Sequence, residues 1–235
     1  MTNYTYNLKV IIPVYNEEGA INAVIEDWTS TLTKLNINFK IVTYNDGSKD
    51  KTLSYLKALE KENANLQVVD KKNSGHGPTI LKGYKESTDA EWLFQVDSDN
   101  ELKTEDFAQF WHARFEYDFL IGNRKHRDSP LVRVITTQIS RMVVGIFYGA
   151  KVIDVNAPYR LMRTSAFKEE FTKIPEDTFA PNLIVAGLAS VRKMRVKQFD
   201  VTHHNRETGE VSIKKWGLFK AAFKSFRQTI IFRFK

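Results

Sequence analysis

The sequence predicts an α/β fold with a doubly wound, mainly parallel sheet and an irregular second half. From residue 8 onward, short apolar runs alternate with longer segments whose apolar residues recur at helical spacing. Strands that alternate with helices of this length are joined by right-handed crossovers, which cover both faces of a parallel sheet. No stretch rich in Pro, Gly or Ser separates the two halves, so residues 1–210 are expected to form one domain, followed by a C-terminal segment over 211–235.

Nine elements are predicted in the first half of the chain. The strands are apolar runs at 8–15, 39–46, 66–70, 92–97 and 117–122. The helices connect them at 17–35, 49–62, 78–87 and 104–114. The first helix carries its apolar residues on one face, at Ile21, Val24, Ile25, Trp28 and Leu32. In the second half, the sequence predicts helices at 130–149, 164–173 and 178–189, with extended segments at 152–156 and 191–202.

The composition excludes several classes of site. The chain has 235 residues, of which 42% are hydrophobic and 27% charged, as in an ordinary globular protein. It has no cysteine, which excludes disulfides, thiolate metal sites and a cysteine nucleophile. The N-terminal residues lack a signal-peptide pattern, so the protein is expected to stay in the compartment where it is made.

The positive charge is concentrated near the C-terminal end. Residues 192–235 hold 12 Lys or Arg and three acids, a net +9, whereas the whole chain carries +7. Such a segment favours nucleic acid, an anionic membrane or a phosphorylated substrate as partner. The most apolar window, Leu131–Ala150, contains Arg133, Gln138 and Arg141, and is therefore predicted to be an amphipathic helix that does not span a membrane.

Polar clusters follow three of the predicted strands, at residues 13–18, 45–48 and 97–101. The carboxyl ends of parallel strands meet at one edge of a sheet, where ligands bind. Each cluster alone is equally compatible with a helix-capping loop. Asp97 and Asp99 are the most informative pair, because two carboxylates this close repel each other unless a cation lies between them. Mg²⁺ binds one or two carboxylates together with substrate phosphates, so this pair suggests a metal and a nucleotide diphosphate.

Four motifs occur in a fixed order in the first half: PVYNEE at 13–18, NDGSKD at 45–50, NSGHG at 73–77 and DSD at 97–99. In this order and spacing, they resemble the motifs of inverting family 2 glycosyltransferases with the GT-A fold. In the second half, GNR at 122–124, DVNAPYRL at 154–161 and RETG at 206–209 are similar to the branch of dolichyl-phosphate mannose synthase and polyprenyl-phosphate sugar transferases. The resemblance implies a nucleotide-sugar half over about 1–125 and an acceptor half over about 126–210.

The resemblance also implies roles for individual residues. The nucleotide-sugar would contact Pro13, Tyr15, Glu17, Asp46 and Asp97. Mg²⁺ or Mn²⁺ would be held by Asp97, Asp99 and Glu101, where Glu101 replaces a Gln that is frequent in this branch. The acceptor phosphate would be bound by Arg124, Arg133 and Arg206, since Arg presents a planar fork to phosphate. The residues expected to act in catalysis are Asp99, Arg124 and Arg206.

Two other functions remain open at this stage. Transferases that use a sugar hydroxyl need a carboxylate base, and Glu176 or Asp177 lies where such a base would be expected, although both are also suited to the start of a helix. A phosphate acceptor is already an anion and needs no base. A third possibility is a non-catalytic protein that binds a nucleotide-sugar at a membrane, against which the intact Asp97 and Asp99 argue.

The C-terminal segment resembles a peripheral membrane anchor. Phe219, Phe223, Phe226 and Ile230 are predicted to form one apolar helix face, beside the basic residues Lys220, Lys224 and Arg227. The alternative is a terminal helix that packs on the core with a solvated basic rim. No nucleic-acid recognition motif is present, so no nucleic-acid partner is expected. The protein is therefore expected on the cytoplasmic face of a membrane.

Overall fold

The computed structural model describes residues 4–125, 131–149, 152–204 and 215–234, with residues 125, 131–137 and 215–222 described by their backbone only. In these residues a seven-stranded sheet has the order β3-β2-β1-β4-β6-β5-β7. The strands, in chain order, are Tyr6–Val14, Phe39–Asn45, Leu66–Asp70, Ala90–Val96, Phe119–Lys125, Tyr159–Arg163 and Val196–Thr202. All pairings are parallel except those of β6, which runs antiparallel to β4 and β5. The predicted doubly wound, mainly parallel α/β fold is confirmed.

Helices cover both faces of this sheet. In chain order, α1 to α8 are Ile21–Lys34, Thr52–Glu62, His76–Glu86, Phe107–Ala113, Leu131–Tyr148, Thr164–Lys173, Pro181–Val191 and Lys215–Arg233. One core forms where α1 and α4 meet the sheet, and Trp28 packs there against Phe94 and Phe107. The other core lies on the opposite face, where Tyr84 stacks on Phe171. The five apolar positions predicted for α1 are all buried.

The reversed strand β6 was not predicted. The extended segment expected at 152–156 contains a turn, in which the amide of Ala157 donates to the carbonyl of Asp154 at 3.1 Å. The strand follows at Tyr159–Arg163 and pairs Val96 with Tyr159 and Ile121 with Arg160. The buried Arg160 concealed the strand, because a charged residue in so short a run does not indicate a core strand. The second half is therefore less irregular than expected, since β6 and β7 complete the sheet.

The start of α7 differs from the prediction of 178–189. Both the amide and the hydroxyl of Thr178 donate to the carbonyl of Pro175, at 3.0 and 2.6 Å, so a turn delays the helix until Pro181. This turn packs against the beginning of α3 at Gly77. A Cβ atom there would lie 1.9 Å from the carbonyl oxygen of Phe179, so only glycine permits the contact.

The apolar face predicted for the C-terminal helix does not form one surface in its described residues, which do not include the side chain of Phe219. Phe223 is 73% exposed, whereas Phe226 packs against the core. The helix α8 docks on α5 and α7 through a face that includes the buried Ser225 and Thr229, and the hydroxyl of Tyr148 donates to the carbonyl of Thr229 at 2.6 Å. Small side chains allow this close approach. The alternative of a docked terminal helix is thus correct for one side of α8.

Candidate functional site

The candidate site lies at the sheet edge where the parallel strands β1 to β4 end. Each of the four loops that follow these strands contains one residue with positive φ, at which the chain reverses. An ordinary helical or extended backbone at that residue would direct the loop away from the sheet edge. These four residues are Asn16 (φ 55°), Gly47 (68°), Gly75 (94°) and Asn100 (59°). The polar clusters that the sequence placed at strand ends are therefore neighbours in space.

The loops after β1 and β2 are joined by hydrogen bonds. The amide of Asn16 donates to Ser48 Oγ at 3.0 Å, and Asn16 Oδ1 accepts from the amide of Lys49 at 2.8 Å. The amide of Glu17 donates to Thr52 Oγ1 at 2.8 Å. Of the residues predicted to contact the nucleotide, Pro13 and Glu17 are buried and Tyr15 is half-buried. This wall of the site is fixed before any ligand arrives.

Asp46, the buried residue directly after β2, is the centre of a group of hydrogen bonds from the loop after β3. Its carboxylate accepts hydrogen bonds from the Lys71 ammonium and from the amides of Ser74 and Gly75, at 2.8 and 2.9 Å for the two amides. Burial alone would raise the pKa of Asp46, but Lys71 and the two amides together lower it below its usual value. Asp46 is therefore ionised at neutral pH and holds the 71–75 loop in place. Its contact with a nucleotide remains a prediction.

Asp97, Asp99 and Glu101 form an acidic cluster after β4. Asp97 Oδ1 accepts a hydrogen bond from Gln95 Nε2 at 3.0 Å and lies 3.5 Å from His76 Nε2. Burial raises the pKa of Asp97 to about 6, and the charges of Asp99 and Glu101 act in the same direction, against His76 and Arg124. A cation bound nearby would offset the repulsion among these three carboxylates.

The donor set of this cluster fits a hard divalent ion. Carboxylate oxygens are the ligands that Mg²⁺ and Mn²⁺ prefer. Within the described part of the chain, however, no three acidic or histidine side chains converge closely enough to hold an ion by themselves. This arrangement suits an ion that arrives with a substrate diphosphate, because Mg²⁺ commonly keeps several positions for phosphate oxygens and water.

Glu101 also contacts the end of β7. Its Oε2 lies 3.0 Å from Nε2 of His203, and its carbonyl accepts from the amide of His204 at 2.8 Å. The imidazole of His204 contacts a different acid, Glu105, at 2.7 Å. Glu101 therefore connects the acidic cluster to the strand that leads toward Arg206. That arginine lies outside the described residues, as does the side chain of Arg133 on α5.

Arg124, predicted to bind the acceptor phosphate, is held by Asp154. Its Nε and Nη2 donate to the two carboxylate oxygens of Asp154 at 2.7 and 3.0 Å, and both side chains are largely buried. Burial alone would lower the pKa of Arg124, but Asp154 and, more weakly, Asp97 and Glu101 raise it. The guanidinium is thus a permanent positive charge beside the acidic cluster, with two of its three nitrogens committed to Asp154.

The candidate base residues lie on the turn before α7. The carboxylates of Glu176 and Asp177 are 93% and 74% exposed. Asp177 Oδ2 accepts from Gln228 Nε2 on α8 at 3.3 Å, and Glu176 lies 4.0 Å from the ammonium of Lys85. Neither contact is with the acidic cluster, although the turn itself packs against the start of α3.

Sequence reasoning missed several residues that support the site. Gln95, Tyr84 and Asn182 form a buried polar group behind Asp97, and Lys71 neutralises Asp46. The signal for Gln95 was a single polar residue within the apolar run WLFQV. Lys71 gave no signal, because a lysine directly after a strand is ordinarily solvated.

Comparisons with known proteins identify the family of the chain. Residues 9–174 match the family described as glycosyl transferase family 2. A curated relative, the undecaprenyl-phosphate 4-deoxy-4-formamido-L-arabinose transferase of Pectobacterium atrosepticum, is 25% identical over 206 residues, which are 86% of this chain and 61% of the relative. The chain thus spans about three fifths of the length of this relative.

Solved structures of low sequence identity share the fold. Mannosyl-3-phosphoglycerate synthase from Rubrobacter xylanophilus superposes with a TM-score of 0.69 at 13% identity, over 95% of this chain and 73% of the other. Glucosyl-3-phosphoglycerate synthase from Mycobacterium tuberculosis, in complex with Mn²⁺, UDP-glucose and phosphoglyceric acid, gives 0.64 at 14% identity, over 96% and 80%. These likenesses confirm the predicted GT-A fold.

Proposed function

Because the chain belongs to glycosyl transferase family 2, we propose that it transfers one sugar from a nucleotide-diphosphate sugar to a polyprenyl phosphate, dolichyl or undecaprenyl, with inversion. The proposal rests on one observation: acidic side chains and a buried arginine lie close together at one edge of the sheet. The loop after β4 carries Asp97, Asp99 and Glu101, and the charge of the buried Arg124 acts on Asp97 and Glu101. The acids suit a metal and diphosphate, and the arginine suits a second phosphate.

The chemistry follows from the nature of the acceptor. An oxygen of the acceptor phosphate attacks the anomeric carbon from the face opposite the diphosphate, so the new C–O bond forms as the old one breaks and the configuration inverts. A bound Mg²⁺ or Mn²⁺, held by Asp97 and Asp99, would neutralise the charge that grows on the departing diphosphate. The fixed positive charge of Arg124 reduces the repulsion between the two anionic substrates.

Two relatives support parts of this proposal. The curated relative from Pectobacterium atrosepticum is named for transfer to undecaprenyl phosphate, and the Mycobacterium tuberculosis neighbour is a complex with Mn²⁺ and a UDP-sugar. The assignments of Pro13, Tyr15, Glu17 and Asp46 to the nucleotide, and of Arg133 and Arg206 to the acceptor phosphate, are part of the same proposal.

The direct test uses labelled donors. The protein is incubated with radiolabelled UDP- and GDP-sugars, Mn²⁺ and undecaprenyl or dolichyl phosphate, and the organic phase is counted. The proposal expects lipid-soluble label from one donor. Label that appears only on a saccharide added as acceptor would favour a hydroxyl acceptor. Nucleotide-sugar binding without any transfer would favour the non-catalytic protein.

Substitution of the candidate bases separates the two acceptor classes. We expect Glu176→Ala and Asp177→Ala each to keep more than half of the transfer rate, because a phosphate nucleophile has no proton to lose. Removing a general base would instead reduce the rate by ~10² to 10⁴. Steady-state rates with polyprenyl phosphate provide the measurement, with circular dichroism to confirm folding. A collapse of the rate in either folded variant would replace the proposed acceptor by a sugar hydroxyl.

Peripheral membrane binding on the cytoplasmic face is a further part of the proposal. Among the described residues, no helix is both long and apolar enough to cross a bilayer. The helices α5 and α8, which pack on each other, and the turn after α8 nevertheless present exposed apolar side chains: Met142, Ile146, Phe223 and Ile231 on the helices and Phe234 in the turn. Exposed basic residues on the same helices, such as Arg141, Lys224 and Arg227, would attract anionic lipids.

Removal of two exposed rings tests this surface. We expect Phe223→Ser combined with Phe234→Ser to weaken binding to vesicles of 30% anionic lipid by at least ~10-fold, since burying a phenylalanine side chain contributes about 1.5–3 kcal/mol. Co-sedimentation measures the bound fraction. The matched control is Phe115→Ser, which removes a ring that is 66% exposed on another part of the fold. Equal losses in both variants, or none in the double variant, would place the membrane contact elsewhere.

A further inference from the structure

Behind Asp97 lies a buried group of polar side chains that the proposed chemistry does not yet use. Gln95, two residues before Asp97 on β4, is fully buried, and so is Tyr84 on α3. Asn182, in the first turn of α7, is 3% exposed. Polar side chains are seldom kept in a protein core unless all their hydrogen bonds are satisfied. This group is satisfied internally, and it ends at Asp97.

The hydrogen bonds of this group form a chain in which each residue donates to the next, from Tyr84 through Asn182 and Gln95 to Asp97. Gln95 Nε2 donates to Asp97 Oδ1 at 3.0 Å, and Gln95 Oε1 accepts from Asn182 Nδ2 at 3.1 Å. Asn182 Oδ1 in turn accepts from the hydroxyl of Tyr84 at 2.8 Å. An ionised carboxylate can only accept, so Gln95 must present its NH₂ group to Asp97, and this fixes the orientation of both amides.

The group is anchored to the backbone of the second half. The carbonyl of Asn182 accepts from Arg160 Nη1 at 3.1 Å, and Arg160 is paired with Gln95 in the β4–β6 register. Arg160 thus fixes the backbone of α7 at Asn182 relative to the sheet. The orientation of the Gln95 side chain is set by Tyr84 on α3 and Asn182 on α7.

We propose that Gln95 is a positioning residue for Asp97, whose amide, locked by Asn182 and Tyr84, holds the carboxylate in the orientation that receives the metal and diphosphate. The inference rests on the proposed function, since it assumes that Asp97 takes part in binding both. Hydrogen bonds that orient a ligating side chain commonly change metal affinity or activity by about 10- to 100-fold when removed.

The test measures metal binding directly. Electron paramagnetic resonance reports free Mn²⁺ as it is titrated into the protein with saturating UDP or, in a second titration, saturating GDP. Gln95→Met keeps the length of the side chain and removes the donor, so we expect Mn²⁺ to bind about 10- to 100-fold more weakly. Tyr84→Phe removes the hydroxyl that donates to Asn182 Oδ1 and lies 3.3 Å from Gln95 Oε1, and a loss of about threefold is expected. The control is Tyr44→Phe, which removes a buried hydroxyl of β2 outside this group and should leave binding unchanged.

Steady-state kinetics distinguish positioning from a general loss of structure. In Gln95→Met, kcat and the Mn²⁺ concentration for half-maximal rate should both change, whereas the KM for polyprenyl phosphate should stay within twofold. A merely structural role would lower the urea midpoint and leave Mn²⁺ affinity unaltered.

Each outcome decides the matter. Wild-type affinity for Mn²⁺ in folded Gln95→Met overturns the positioning role and leaves the proposed function standing. If Gln95→Met does not fold, unchanged binding in Tyr84→Phe overturns it instead. A wild-type protein that binds no Mn²⁺ with either UDP or GDP contradicts the metal-dependent function itself, and the positioning role with it.

Discussion

Replacing Asp99 by alanine is expected to lower the rate of sugar transfer by at least ~100-fold, the size of effect seen when a group that stabilises developing charge is removed. Asp99 follows the buried strand β4 and adds its charge to that of Asp97. Without it, the negative charge on the departing diphosphate would be neutralised less completely. Initial rates with labelled donor, polyprenyl phosphate and saturating Mn²⁺ provide the measurement.

Two variants serve as controls for Asp99→Ala. Glu105→Ala removes an exposed acid six residues further on and should keep most of the rate. Asp46→Ala should act mainly on nucleotide affinity, because Asp46 fixes the loop after β3. Full activity of the wild-type protein in excess chelator, or of Asp99→Ala in any buffer, would contradict the metal-dependent proposal.

Replacing Arg160 by leucine is expected to reduce the free energy of unfolding by about 3–5 kcal/mol, because the buried carbonyls that it bonds lose its donors. The guanidinium of Arg160 is fully buried and donates to the carbonyls of Val155, Ala157 and Asn182. Leucine removes the burial cost of a cation but leaves three carbonyls without their donors, each at about 1–3 kcal/mol. The second effect is larger, so the change is destabilising.

Urea denaturation followed by circular dichroism measures this loss. Arg195→Leu is the matched control, since Arg195 pairs with Asp118 at the surface and its removal should leave the midpoint almost unchanged. A wild-type midpoint for Arg160→Leu would mean that the turn at 154–157 holds its shape without the guanidinium.

Local patterns were sufficient to predict most of the fold. The strands β1 to β5 are apolar runs, and α1 buries the five positions that its periodicity indicated. The strand β6 was missed because its only charged core residue, Arg160, is satisfied by carbonyls from a turn and from α7, contacts that no local pattern reveals. The single apolar face predicted for α8 was not found in its described residues, for a similar reason. Its environment is set by α5 and α7, and Phe223 and Phe226 are equivalent in sequence terms.

The candidate site was predictable where it depends on strand ends. Asp46, Asp97, Asp99 and Glu101 follow β2 and β4, and the parallel topology brings these loops to one edge. The groups that support them were not predictable. The roles of Lys71 and Gln95 depend on hydrogen bonds to residues distant in the sequence. The pairing of Arg124 with Asp154 likewise joins residues 30 positions apart.

The antiparallel strand β6 limits which segments of the protein can be exchanged with those of a relative. Because β6 runs against β4, its first residues enter the sheet at the edge where β4 ends, and Val96 is paired directly with Tyr159. The acids after β4 and the turn at 154–157 are thus fastened to the same ladder of backbone hydrogen bonds, with no hinge between them. The N-terminal and C-terminal halves of two relatives are consequently poor modules for exchange. A chimaera joined near residue 126 would need to recreate the β4–β6 ladder, and a one-residue slip in it would turn Arg160 from one face of the sheet to the other.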